Sequence, residues 1–285
     1  MASRAIYGRE FDGELERGLA PEQFKYRFLV EGDSWMDRSS LVQASLPLAL
    51  AKAFDDAGES ALFINLSMFG DTMRRISECL NDEFHQWITT PLGWKFDALL
   101  FSAGGNDFID AARDPDPGQG ILRLVTPQAP ALTADDCFRA DAVGTLVTNF
   151  LDPNFAKLYD TVRASRHDDI PIFLNSYDIP TARNAPAVPG RKAWLFEAYR
   201  KNNTPPDLWQ EVTERIFIDV EAAVEGWTQD RDKIFRVPTV GTLSPAAEGT
   251  TGSSGDWLNE IHPNRGGWAK LAQVWRRAIK GVLPA

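Results

Sequence analysis

The chain is poor in cysteine, histidine and positive charge, and each shortage removes a class of function. Cys79 and Cys137 are the two cysteines among 285 residues, and they lie far apart with no CxxC pair. A disulfide framework or a thiolate metal site needs more, so both are read as buried small hydrophobes with reduced thiols. Lys and Arg total 30 against 40 Asp and Glu, a net charge of −10. Nucleic-acid affinity rests on cations that neutralise phosphates, so no nucleic-acid partner is expected. No apolar run approaches the length of a membrane span. The amino terminus, MASRAIYGREFDGELERG, mixes charges where a signal peptide has its apolar core. A soluble, cytoplasmic protein is therefore expected. The absence of a GxGxxG or GxxxxGK[ST] loop after the first strand counts against a nucleotide or flavin binder.

What the chain does have is a 44% hydrophobic composition, enough for a sizeable core, and a length at which α/β folds commonly form one domain. Residues 1–285 are read as a single domain. Five short β-rich runs recur between segments of helical period: YRFLV from Tyr26, ALFINLS from Ala61, DALLFSA from Asp97, PIFLNSY from Pro171 and KIFRVP from Lys233. Each is nearly continuous in apolar residues, the pattern of strands buried on both faces. The expected fold is a three-layer α/β/α sandwich around a five-stranded parallel sheet. In SLPLALAKAFDDAGE, Ser45 is placed to cap a helix, Pro47 fits its first turn and Gly58 stops it. Trp268, Leu271, Ala272, Trp275 and Ile279 follow helical spacing and read as core. Residues 108–151 and 178–209, rich in Pro, Asp and Asn, break the alternation and are expected as long connections over a binding site. Trp35, Trp194, Phe196 and Tyr199 are candidates for its apolar wall or for core.

Ligands of open parallel sheets bind beyond the carboxyl ends of the strands, so polar residues there carry information. The first run ends in Gly32-Asp33-Ser34, the second is followed by Phe69-Gly70-Asp71, and the third ends in Gly104-Gly105-Asn106-Asp107. NEIHPN, from Asn259, precedes the last helix. These supply a hydroxyl, a flexible backbone amide, a side-chain amide and an imidazole, the parts needed for acyl transfer without a metal or organic cofactor. A serine hydroxyl needs a base, and the three histidines are His85, His167 and His262. His85 lies in a helical pattern and His167 in the polar run RASRHDD, so both read as surface or helix-end residues. His262 has a loop, a following proline and a nearby helix start to fix it. Asp33 and Asp107 read as turn-fixing acceptors, and Asp71 as the cap of a helix from Thr72. Asp110, Asp114 and Asp116 suggest a calcium loop, but their spacing fits no EF-hand and they read as a solvated loop.

In order and spacing, GDS, the glycine after the second strand, GGND and a late HPN resemble the four blocks of the SGNH, or GDSL-type, hydrolases. The blocks run from Gly32 to Asn264. The resemblance implies a flavodoxin-like sandwich and a serine ester hydrolase acting on a small-molecule carboxyl ester. In it Ser34 is the nucleophile and His262 the base, with the Gly70 amide, the Asn106 side chain and the Ser34 amide as oxyanion donors. It also accounts for the missing GxSxG elbow, since Met36 stands where that motif has glycine. One position departs from the family: three residues before the histidine, where an aspartate is usual, stands Asn259. An amide oxygen there still orients the ring but lacks the charge that stabilises imidazolium. Asp256 and Glu260 are the nearby carboxylates that compete for the role, with Asn259 the preferred partner. The same departure motivates the alternative of a ligand-binding protein that keeps the fold and has little turnover.

Overall fold

The computed structural model describes residues 2–37, 44–79 and 83–283, apart from the side chains of Glu78 and Cys79. Cys137 is buried and unpaired; the expectation for Cys79 lies outside the described residues. Among the described residues six parallel strands form one sheet: β1 (Arg4–Tyr7), β2 (Tyr26–Gly32), β3 (Ala61–Asn65), β4 (Ala98–Ser102), β5 (Ile172–Asn175) and β6 (Ile234–Val237). Their spatial order is β1-β3-β2-β4-β5-β6. Without β1 this is the flavodoxin-like order, whose switch point falls where the connections diverge from β2 toward β3 and β4.

The five expected runs all form strands, and β1 is the correction to the expected count. RAIY was not legible as a strand because it is four residues long, half exposed and set in a charged segment. It is held by register with β3 (Arg4 opposite Leu62) instead of by an apolar run of its own. At the other edge β6 exposes part of both Phe235 and Arg236, so it is not buried on both faces as the sequence suggested. Arg236 there pairs with Glu221 and Glu225. Short strands with charged side chains are how open sheets protect their edges.

Register assigns the two helical layers. Phe28 packs on Phe63 and Phe54 at centroid distances of 5.0 and 5.7 Å, which places the helix Leu46–Asp56 on that face of the sheet. The helix Arg265–Val282 packs beside it, with Trp268, Leu271, Ala272, Trp275 and Ile279 all buried. Phe101, on the opposite face, meets Phe155 of the helix Asp152–Arg163, and Phe155 stacks at 4.3 Å on Trp227 of the helix Trp209–Gln229. Ser45 precedes its helix in extended conformation, yet among the described residues its buried hydroxyl has no hydrogen-bond partner, so it does not cap by its side chain. Pro47 does sit in the first turn.

The long connections are partly helical. Residues 108–151 include most of the helix Gly105–Ala112, the helix Ala142–Leu146 and a π-helical turn, Val147–Leu151, running into Asp152–Arg163. Residues 178–209 contain the helix Leu195–Lys201. Asn202 joins the two segments: its side-chain oxygen accepts from the Gly118 amide at 2.8 Å and its carbonyl from the Val125 amide at 2.9 Å.

His167 is 1% exposed and packed on Phe96 at 5.1 Å, and among the described residues neither ring nitrogen has a partner. This corrects its reading as a surface residue. Burial pushes its pKa down to about 4. The unfolded chain takes up this proton below about pH 6.5 while the native state resists it, so stability present above that pH is lost as pH falls toward 4. Replacing His167 with Leu, of similar volume, should remove that loss. Urea unfolding near pH 5 and pH 7.5 should show a smaller stability difference in the variant than in the wild type.

Candidate active site

The site begins at the carboxyl end of β2, beside the switch point of the sheet. Gly32 has φ +144°, and a Cβ there would lie 2.3 Å from the Ser102 carbonyl, so only glycine lets the chain turn against β4. The turn is then closed by hydrogen bonds. The Asp33 amide donates to Ser102 O at 2.9 Å, the Met36 amide to Asp33 O at 3.0 Å and the Trp35 amide to Asp33 Oδ1 at 3.0 Å. Asp33 is a turn-fixing acceptor, and Ser34 is left at the apex, 5% exposed. Among the described residues its own N–H donates to no partner.

His262 arrives from the loop before the last helix. Its Nε2 lies 2.8 Å from Ser34 Oγ, and its Nδ1 lies 3.0 Å from Asn259 Oδ1. The same Oδ1 accepts from the Ile261 amide at 3.1 Å and the His262 amide at 2.9 Å. Two backbone donors thus hold the amide with its oxygen toward the ring, so Nδ1 carries the proton and Nε2 is left to accept from Ser34. Burial pushes the His262 pKa down to about 4. The imidazole is neutral at physiological pH.

Neither competing carboxylate reaches the ring. Asp256 accepts from the Ser244 amide at 2.6 Å and pairs with Lys270. Glu260, fully buried, accepts from the amides of Arg183, Leu195 and Phe196 at 3.1, 3.0 and 2.7 Å and from the amide of Trp194. It fastens residues 183–196 to the histidine loop, and burial raises its pKa to about 7. Residue Asn264, of the same loop, caps the last helix by accepting from the Gly267 amide at 3.0 Å.

Asn106, in the first turn of Gly105–Ala112, lines a narrow cavity with Ser34, Trp35, Tyr177 and Phe217, with room for about one water molecule. Its Nδ2 donates to the Asp71 carbonyl at 2.8 Å, which ties it to the segment carrying Gly70. Gly70 has φ +79°, and among the described residues its N–H donates to no partner. Asp71 does not cap the helix Met73–Cys79. Thr72 Oγ1 accepts from the Arg75 amide at 3.3 Å, and Asp107 Oδ2 reaches across to accept from the Met73 amide at 2.9 Å.

The aromatic candidates separate. Trp194 meets the His262 ring edge-on at 5.5 Å, so residues 178–209 do reach the site. Phe196 packs instead on Trp209, Tyr199 is buried with its hydroxyl on Thr213, and Trp35 is buried between Tyr177, Trp257 and Trp268. Phe69, 52% exposed, also stacks on the imidazole, at 5.9 Å. Its adjacency to Gly70 was the one signal in the sequence that could have found it. His85 is exposed in the helix Glu83–Thr89, away from these residues. Among the described residues no group of His, Cys, Asp and Glu could hold a metal ion, Asp110, Asp114 and Asp116 included.

A hydroxyl, an imidazole and an amide oxygen thus stand in series at the switch point of a parallel sheet on an α/β/α sandwich. No protein-family model matches the chain, and no curated protein is similar to it in sequence. Among solved structures, it is similar to a lipase from a goat rumen metagenome at 13% identity and TM-score 0.52, covering 89% of this chain and 97% of that one. It is also similar to the acetylxylan esterase Axe2 of Geobacillus stearothermophilus (13% identity, TM-score 0.47, 92% and 97% covered). A third is a family 3 carbohydrate esterase of Clostridium thermocellum (12%, 0.47, 90% and 96%). The likeness to the lipase is one of fold, an α/β sandwich shared over most of both chains.

Glu260→Gln should test the fastening of the histidine loop. An amide presents one acceptor oxygen where four backbone donors converge, and each buried donor left unpaired costs about 1 to 3 kcal/mol. A loss of at least about 2 kcal/mol in urea unfolding is expected.

Proposed function

We propose that the protein is a cofactor-independent serine ester hydrolase that works through an acyl-serine intermediate on a small-molecule carboxyl ester. The observation that carries this reading is the 2.8 Å contact between Ser34 Oγ and a neutral His262 whose Nδ1 proton is already committed to Asn259. Ser34 Oγ attacks the ester carbonyl carbon as its proton passes to His262 Nε2. The carbonyl oxygen, now negative, takes hydrogen bonds from the Ser34 amide, the Gly70 amide and Asn106 Nδ2. The intermediate collapses, the C–O bond to the alcohol breaks, and His262 Nε2 protonates the departing oxygen. Water then enters, gives its proton to His262 and releases the acid by the same steps in reverse.

Asn259 is compatible with this cycle for a geometric reason. In a serine protease, aspartate to asparagine in the triad lowers turnover about 10⁴-fold because the imidazole takes the wrong tautomer. Here the amides of Ile261 and His262 hold Oδ1, not Nδ2, toward the ring. The tautomer is right; what is missing is the charge that stabilises imidazolium. That missing charge favours the second reading, a ligand-binding protein with little turnover.

Hydrolysis of p-nitrophenyl acetate and labelling by a fluorophosphonate probe separate the two. Both should be present in the wild type and absent in Ser34→Ala; labelling that survives the substitution would place the nucleophile elsewhere. Asn106→Ala should lower kcat about 10² to 10³-fold with its fold intact, the usual cost of one oxyanion donor. Asn259→Asp should raise kcat at least about tenfold, and the His262 ring titration followed by NMR should move up from about 4. An unmoved titration would show that the residue at 259 does not act on the ring.

A further inference from the structure

Beneath the nucleophile turn lies a buried polar cluster that the proposed cycle leaves unused. Tyr177, just past the end of β5, is 2% exposed, and its hydroxyl donates to Asp33 Oδ2. Ser102 Oγ, at the end of β4, donates to Asp33 Oδ1 at 3.0 Å and lies 3.2 Å from the Tyr177 hydroxyl; Asn175 Nδ2 donates to it at 3.2 Å. The tyrosine ring also fills the space over Gly105. A Cβ on that glycine would lie 2.9 Å from two ring carbons, so the residue before Asn106 rests directly on the ring. Tyr177 holds φ +54°, a left-handed conformation that bulky residues rarely adopt, and its carbonyl accepts from Thr239 Oγ1 at 2.9 Å.

We propose that Tyr177 is a positioning residue that sets the distance between nucleophile and oxyanion donor, its hydroxyl holding the Ser34 turn through Asp33 and its ring supporting Asn106 through Gly105. The assignment rests on the ester-hydrolase reading. One side chain thereby bridges the ends of β2, β4 and β5, each of which ends at the site. The hydroxyl is a donor at every working pH, since burial and the neighbouring Asp33 raise its pKa well above the ordinary tyrosine value. Burial raises the Asp33 pKa to about 6, against the hydrogen bonds from Tyr177, Trp35 and Ser102 that lower it. The titratable groups around it are Asp71 after β3, Asp107 on Gly105–Ala112, Asp178 after β5 and His262 beyond Ser34. Removing the tyrosine hydroxyl therefore raises the pH at which Asp33 loses its charge and the turn loses its acceptor.

The test is the pH profile of kcat and KM for p-nitrophenyl acetate in the wild type and Tyr177→Phe, with Ser34→Ala as the blank. Phenylalanine keeps the ring on Gly105 and removes only the hydroxyl. We expect kcat to fall about tenfold or more near neutral pH with KM within about twofold, and the acidic limb to move to higher pH with partial recovery in alkali. Ser102→Ala, which leaves the tyrosine in place, should move the limb in the same direction by less, and serves if the phenylalanine variant does not fold. An unchanged kcat and limb, or a loss equal at every pH, overturns the tyrosine's role alone. No Ser34-dependent hydrolysis by the wild type overturns the ester-hydrolase reading and this assignment with it.

Discussion

The arrangement depends on one amide oxygen. Asn259 Oδ1 accepts two backbone N–H groups and the Nδ1 proton of His262, and that threefold acceptance fixes the direction of the imidazole. If the amide turned over, its NH₂ would face donors, the ring would change tautomer and Nε2 would become a donor toward Ser34. The contact between hydroxyl and imidazole thus follows from the geometry of a four-residue loop. A carboxylate would add charge to that geometry, but the orientation does not require one.

The rest of the fold delivers this loop to the right place. Parallel strands β2, β3, β4 and β5 all end on one side of the sheet, where Ser34, Gly70, Asn106 and Tyr177 follow them. The last helix, anchored by a buried stripe of two tryptophans and three aliphatic residues, fixes where the histidine loop begins. Asn264 caps that helix, so helix start and imidazole are placed by the same few residues. Phe69 and Trp194 both pack on the imidazole, at centroid distances of 5.9 and 5.5 Å.

Buried carboxylates in and around the site bind backbone amides more than cations. Glu260 gathers four amides and Asp178 three, from Ile179, Gly241 and Leu243 at 2.8, 2.8 and 2.6 Å. Asp33 takes an amide and two hydroxyls. Each holds a loop of irregular backbone to the scaffold, as irregular segments need when their polar groups leave water. This is a use for acidic side chains in a chain of net charge −10 that involves neither metal nor acidic catalysis.

The sequence by itself determined the sandwich, because strands buried on both faces must be apolar throughout and their runs can be read one by one. It determined the core stripe of the last helix in the same way, and it placed Ser34, Gly70, Asn106 and His262 at the ends of elements. It did not show β1, whose strand state comes from pairing with β3 and not from its own residues. It favoured Asn259 over Asp256 and Glu260 only by its position in the motif, since all three lie within a few residues of His262 and a loop can point any of them at the ring. Tertiary contacts decided among them: Lys270 and the Ser244 amide take Asp256, and the amides of residues 183–196 take Glu260. Tyr177 and Phe69 were likewise hidden, each an ordinary aromatic residue after a strand until the fold brought it to the Ser34 turn or the imidazole. Local patterning follows from which side chains must leave water, whereas the partner of a buried polar group is set by whatever donor distant segments bring within about 3 Å of it.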